Sequence, residues 1–106
     1  MRLGLDINQQ QRLIMDKYNH WLAKVLGKLN RSKRYAVTIG QTAYYSVSKE
    51  DVKKSPEWIR HEDEHKRQYA REGILKFLIK YFYYLIRYGY HNNPYEVDAR
   101  KAERRV

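Results

Sequence analysis

The sequence predicts an α+β domain, mainly helical, with one β-hairpin packed on three or four helices. Three observations carry that expectation. Tyr35-Ala36-Val37-Thr38-Ile39 and Thr42-Ala43-Tyr44-Tyr45-Ser46-Val47 have strand composition, and the two residues between them, Gly40-Gln41, fit a tight turn with glycine first. The other long stretches repeat their apolar residues at helical spacing or open on helix start signals. At 106 residues the chain makes one domain, 1–106, with room for a single modest core.

A first amphipathic helix is expected over 6–30. Asp6 and Gln9 resemble a capping box, and Ile7, Ile14, Tyr18, Trp21, Leu22, Val25 and Leu29 form one apolar stripe. Asp16, Lys17, His20, Lys24 and Lys28 lie across from it, and His20 reads as solvated. A short chain needs that burial, so the stripe is expected to pack on the domain; the competing reading is a basic helix on a membrane surface. After the basic connection Asn30 to Arg34 comes the hairpin, 35–47. Alternation places Tyr35, Val37 and Ile39 on one side of its first strand and Ala43, Tyr45 and Val47 on one side of its second. A lone hairpin is marginal and must rest on helices, while its free edge could receive an extended peptide.

Ser48-Lys49-Glu50-Asp51 opens a short helical turn. The helix over 56–72 has Ser55 as N-cap, Pro56 at its first position, Glu57 at the positive end of its dipole and Gly73 to close it. The helix over 74–88 is apolar almost all round, apart from Lys76, Lys80, Tyr83 and Arg87, and is expected to be the buried central element. Its aromatic density could suggest base stacking, but helical spacing among apolar neighbours favours packing. Gly89 to Pro94 breaks it, and Asn93 with Pro94 starts a last helix, 94–104, before a basic tail.

The net charge of +10 makes the surface electropositive, which suits nucleic acid, anionic lipid or acidic protein, or serves only solubility. With no cysteine there is no disulfide frame and no thiolate ligand, so any zinc must be held by His and carboxylate. The first residues lack the apolar run of a secretory signal, and 74–90 is too short and too charged for a membrane span; a cytoplasmic protein is expected.

Within 56–72 stands His61-Glu62-Asp63-Glu64-His65, the H-E-x-x-H pattern. At about 100° per residue, Trp58, His61, Glu62, His65 and Tyr69 share one helical face. Two imidazoles one turn apart can reach one zinc ion, and the glutamate beside the first can act as general base on a zinc-activated water. The alternative is a solvated charged helix whose histidines fall at i, i+4 by chance. For Glu96, three residues after Asn93, the structural alternative is a capping-box carboxylate.

His61-Glu62-x-x-His65 followed by Asn93-Pro94-Tyr95-Glu96-Val97-Asp98-Ala99 resembles the gluzincin branch of the zincin metallopeptidases. It is similar in particular to small bacterial domains of unknown substrate that also carry a Thr-Ile-Gly hairpin, here Thr38-Ile39-Gly40. The likeness spans about residues 35 to 103 and implies a minimal zincin-like fold, a Zn2+ cofactor, and His61, His65 and Glu96 as metal ligands with Glu62 catalytic. A crossing helix of about fifteen residues, roughly 22 Å long, can return the last helix beside the first, which supports Glu96. His91 and Asp98 compete as third ligand. Asp98, His91, Tyr69, Tyr90 and Tyr95 are candidates for orienting a ligand or stabilising an oxyanion. Two departures stand out. Asp63 and Glu64 occupy the usually uncharged middle of the motif, and Arg100 stands where many gluzincins have an acid that orients a histidine, which leaves that task to Asp98 or a carbonyl.

The leading functional expectation is a zinc-dependent hydrolase of a peptide or protein substrate. The second is a zinc-stabilised interaction domain without catalysis. The third is a basic nucleic-acid-binding module, motivated by Arg31, Lys33, Arg34, Arg104 and Arg105 but unsupported by any nucleic-acid motif.

Overall fold

A computed structural model describes residues 15–105. It shows a mainly helical α+β domain in the order α1 (Trp21–Leu29), β1 (Ala36–Ile39), β2 (Thr42–Tyr45), α2 (Lys49–Lys53), α3 (Pro56–Glu72), α4 (Ile74–Asn92) and α5 (Pro94–Ala102). β1 and β2 pair antiparallel with Ala36 opposite Tyr45 and Ile39 opposite Thr42, so Gly40-Gln41 is the two-residue turn the sequence predicts. Gly40 has φ 64°, the left-handed conformation that a glycine-first turn requires.

The hairpin rests on α3, which is the axis of the domain. Ala43 and Tyr45 of β2, Val52 of α2 and Ile59 of α3 form one buried cluster, with Ala36 and Trp58 packed against it. Farther along α3, Tyr69 meets Phe77 of α4 and Tyr95 of α5 in a second cluster. His61, Glu62 and His65 lie between the two, on a helix anchored at both ends. The alternation forecast for β2 matches its buried Ala43 and Tyr45, while in β1 it is Thr38 that is buried and Ile39 that is 40 % exposed.

The expected continuous helix over 6–30 needs correction; its first part, to residue 14, lies outside the described residues. Residues 16–20 are not helical. Lys17 N–H donates to the Ala43 carbonyl (2.9 Å) and Lys17 O accepts from Tyr45 N–H (2.8 Å), while His20 N–H donates to Tyr45 O (3.0 Å). The segment therefore covers the outer edge of β2, and satisfying that edge outweighs the local helical pattern. Asp16 is pulled inward to accept from Ala43 N–H and from Lys66, Asn19 takes φ 49°, and the His20 side chain caps α1 through Leu22 N–H.

The apolar stripe of α1 is a second correction. Trp21, Val25 and Leu29 are 67, 48 and 76 % exposed, whereas Ala23 and Gly27 are buried. The chain doubles back so tightly that a Cβ on Gly27 would stand 2.6 Å from Ser32 O and 2.9 Å from Tyr35 Cβ. Small residues permit that approach, and it turns the large ones outward.

A third correction concerns the helix over 74–88. It starts as expected after Gly73 at φ 83°, and Gly89 at φ 80° kinks it, but helical turns continue beyond the kink to Asn92. It is not the buried centre of the domain, because Phe77 is its one buried residue. Phe77, Tyr81 and Tyr84 pack on Tyr95, and Leu75, Ile79 and Ile86 face outward.

Candidate metal centre

One helix start and one long helix bring the site together. Asn93 caps α5 by accepting from Tyr95 N–H (3.0 Å), and its own amide donates to Tyr81 O on α4 (3.2 Å). That fully buried asparagine fixes the first turn of α5 against α4. The carboxylate of Glu96, one turn on, is not spent on the cap. It points at α3, where Oε1 stands 3.0 Å from His61 Nε2 and 3.2 Å from His65 Nε2. One ligand atom from each of the three residues lies within 4.8 Å of the others.

The outer ring nitrogens decide what the inner ones can do. His61 Nδ1 is 2.6 Å from Glu103 Oε2, and a carboxylate only accepts. His65 Nδ1 is 2.8 Å from Gln68 Oε1, and the Gln68 amide nitrogen donates to Tyr95 O (3.0 Å), which fixes the oxygen end toward the histidine. Both Nδ1 atoms must therefore carry hydrogen. Each Nε2 then faces Glu96 with either a lone pair or a second proton, and two lone pairs against one carboxylate oxygen would repel. A cation shared by the three groups removes that conflict, and so does protonation of the rings.

The titration behaviour agrees. Burial opposes charge on His65, but the Glu96 hydrogen bond and the Glu62 and Glu96 charges overcome it and raise its pKa to about 9. His61 is raised in the same way, burial again opposing and Glu96 and Glu62 prevailing. Burial likewise disfavours the Glu96 anion, yet hydrogen bonds from His61, His65 and Tyr81 hold it well below the usual carboxylate range. This is a pocket built for positive charge at one point. Two imidazole nitrogens and one carboxylate oxygen form a His-His-Glu group that could hold a metal ion.

Glu62 is buried beside the cluster, and Thr38 Oγ1 of β1 donates to its Oε1 (2.8 Å). Burial raises its pKa, while the two histidines pull the other way. A cleft of about 260 Å³ opens over these groups between β1 and α4, with Tyr35, Phe77 and Tyr90 among its walls.

The remaining sequence candidates separate clearly. Tyr90 faces Glu96 across the cleft, and burial of its hydroxyl with the Glu96 and Glu62 charges pushes its pKa well up. Tyr69 lines the cleft by its ring, packed 4.0 Å from Phe77. Tyr95 points elsewhere, its hydroxyl donating to Glu72 (2.8 Å). His91 is exposed, and its carbonyl accepts from Arg100. Asp98 is exposed on α5; among the described residues, the carboxylate that holds His61 is that of Glu103. The acids inside the motif are neutralised away from the cluster. Asp63 stands 3.5 Å from Lys66, and Glu64 pairs with Arg67 (2.9 Å), Arg105 (3.1 Å) and Arg71 (3.7 Å).

Sequence reasoning missed four residues. Gln68 was reachable, since it sits one turn beyond His65 on the same helix. Thr38, Tyr81 (hydroxyl 2.6 Å from Glu96 Oε2) and Glu103 act across the fold, and no spacing rule reveals them. Compared with known protein families, curated proteins and solved structures, the chain matches none.

Proposed function

We propose that this protein is a zinc-dependent hydrolase of peptide bonds, of the gluzincin type that its His61-Glu62-x-x-His65 and Asn93-Pro94-x-Glu96 motifs resemble. The observation that supports it most is the convergence of His61 Nε2, His65 Nε2 and Glu96 Oε1 with both Nδ1 atoms already held. Such a group exceeds what a chance i, i+4 histidine pair would need. A bound zinc ion would supply Lewis acidity and lower the pKa of a coordinated water.

This chain's own residues supply the rest. Glu103 and Gln68 set the histidine tautomers and ring angles. Glu62 lies beside the ligands without joining them, and Thr38 anchors one of its oxygens, leaving the other for a proton. Its raised pKa suits a general base that later returns that proton to a leaving amine. Tyr90 reaches over the cleft as a hydroxyl that stays protonated at neutral pH and can donate to a developing oxyanion. Tyr81 already donates to Glu96 and steadies the third ligand.

Glu62→Gln separates this enzyme from a zinc-stabilised binding domain. Assayed on a broad peptide library, the variant is expected to keep its zinc and its melting temperature and to lose about 10²-fold or more in hydrolysis. Unchanged turnover in Glu62→Gln, or no turnover by the zinc-loaded parent, contradicts the reading.

A further inference from the structure

α4 carries an apolar face that its own domain leaves uncovered. Leu75, Ile79, Phe82 and Ile86 recur at intervals of four and three, within a stripe of about 60°. They are 73, 62, 56 and 87 % exposed. The opposite stripe, Phe77, Tyr81 and Tyr84, packs on Tyr95. Single exposed leucines are ordinary, whereas a contiguous apolar face of this kind marks a contact surface.

We propose that this face of α4 docks the protein on an anionic phospholipid surface, with the cleft mouth turned toward the lipid. Charge selects that occupant. Between Glu72 and Glu96 the chain has no Asp or Glu, but it has Lys76, Lys80 and Arg87. Lys80 is turned to Glu72 (3.0 Å), while Lys76 and Arg87 stand exposed on one flank, about 100–120° around from Leu75. A second copy of this chain would bring the same cations and another net charge of +10 to the contact, with no acid on the face to meet them. A bilayer with anionic headgroups takes the apolar stripe at its acyl boundary and places phosphates against the flank. Tyr83, 57 % exposed, lies between stripe and cations, where a tyrosine ring sits at a membrane interface.

No helix among the described residues is long and apolar enough to cross a membrane, so α4 lies on the surface and does not span it. The face runs into the cleft. Leu78 and Phe82 line one wall, and Ile39 at the hairpin tip lines the other. Docking therefore presents the candidate metal centre to polypeptide held at the membrane surface. That last consequence rests on the hydrolase reading; the docking itself does not.

The test mixes the full chain with vesicles of phosphatidylcholine alone and of phosphatidylcholine with phosphatidylglycerol, and reads the bound fraction by flotation. The expected result is salt-sensitive binding to the anionic vesicles. Ile79→Glu with Ile86→Glu should weaken it at least about tenfold, and Lys76→Glu with Arg87→Glu by a similar factor. Melting temperature and zinc content should be unchanged in both. Absent binding, equal binding to both vesicle types, or binding that ignores these substitutions overturns the proposal. So does a lipid-free dimer that Ile86→Glu dissociates. Zinc content and lipid-free hydrolysis, measured on the same samples, show whether the metal-site reading stands when docking fails.

Discussion

Gln68→Ala tests how the site is held. Gln68 is fully buried and spans two elements, accepting from His65 Nδ1–H at 2.8 Å and donating to Tyr95 O at 3.0 Å. Its loss strands the His65 ring N–H in the interior, costing about 1–3 kcal/mol, while the Tyr95 carbonyl stays in the α5 helical ladder. The metal-free protein should then lose about 1–3 kcal/mol, enough to lower its melting temperature by roughly five degrees or more in a domain of this size. Zinc affinity should fall separately, because His65 no longer has its Nδ1–H fixed and its Nε2 aimed. Loss of such a supporting partner lowers affinity about 10–100-fold, which is about 1.4–2.7 kcal/mol. Competition with a fluorescent chelator measures the affinity under conditions where circular dichroism shows the variant folded. Reduced stability with unchanged zinc affinity would refute the argument that Gln68 sets the His65 tautomer.

Two further outcomes follow from the same contacts. Zinc must displace a proton from His65, whose pKa is raised from 6.5 to about 9, so zinc affinity should climb as pH rises from about 6 to 9. Metal-free stability should run the opposite way: the raised pKa contributes stability present in full below about 6.5 and lost as pH passes about 9. Flat zinc affinity across that range, measured by calorimetry, would contradict the coupling. On the other side of α3, Lys66 Nζ lies 2.9 Å from Asp16 and 3.5 Å from Asp63, all three buried. Lys66→Ala removes the cation from that group and should cost about 3–5 kcal/mol in urea unfolding. A loss under about 1 kcal/mol would show that Asp16 does not tether residues 16–20 to α3.

Local chemistry was legible in the sequence where it acts locally. Gly40-Gln41 dictated the turn, Asn93-Pro94 the start of α5, Gly73 the start of α4 and Gly89 its kink. The spacing of His61 and His65 placed both rings on one face. What periodicity cannot say is which element covers an apolar stripe. α1 and α4 each have one, and in both the inward contact is made by other residues: Ala23 and Gly27 in α1, Phe77 in α4. The non-helical run at 16–20 escaped for a related reason, since its backbone is satisfied by β2 and its Asp16 by Lys66, fifty residues away. Glu103 was illegible on the same ground. It reaches His61 because Arg60 holds the Glu103 carbonyl at 2.7 Å and Arg105 pairs with Glu64.

Native mass spectrometry of tag-free protein purified without added metal reads whether His61, His65 and Glu96 hold one zinc ion. One zinc per chain is expected in the parent and in Asp98→Ala and His91→Ala, with loss in His61→Ala and in Glu96→Ala. A parent that stays metal-free at saturating zinc, or a Glu96→Ala variant that retains full occupancy while Asp98→Ala or His91→Ala loses it, would contradict the account.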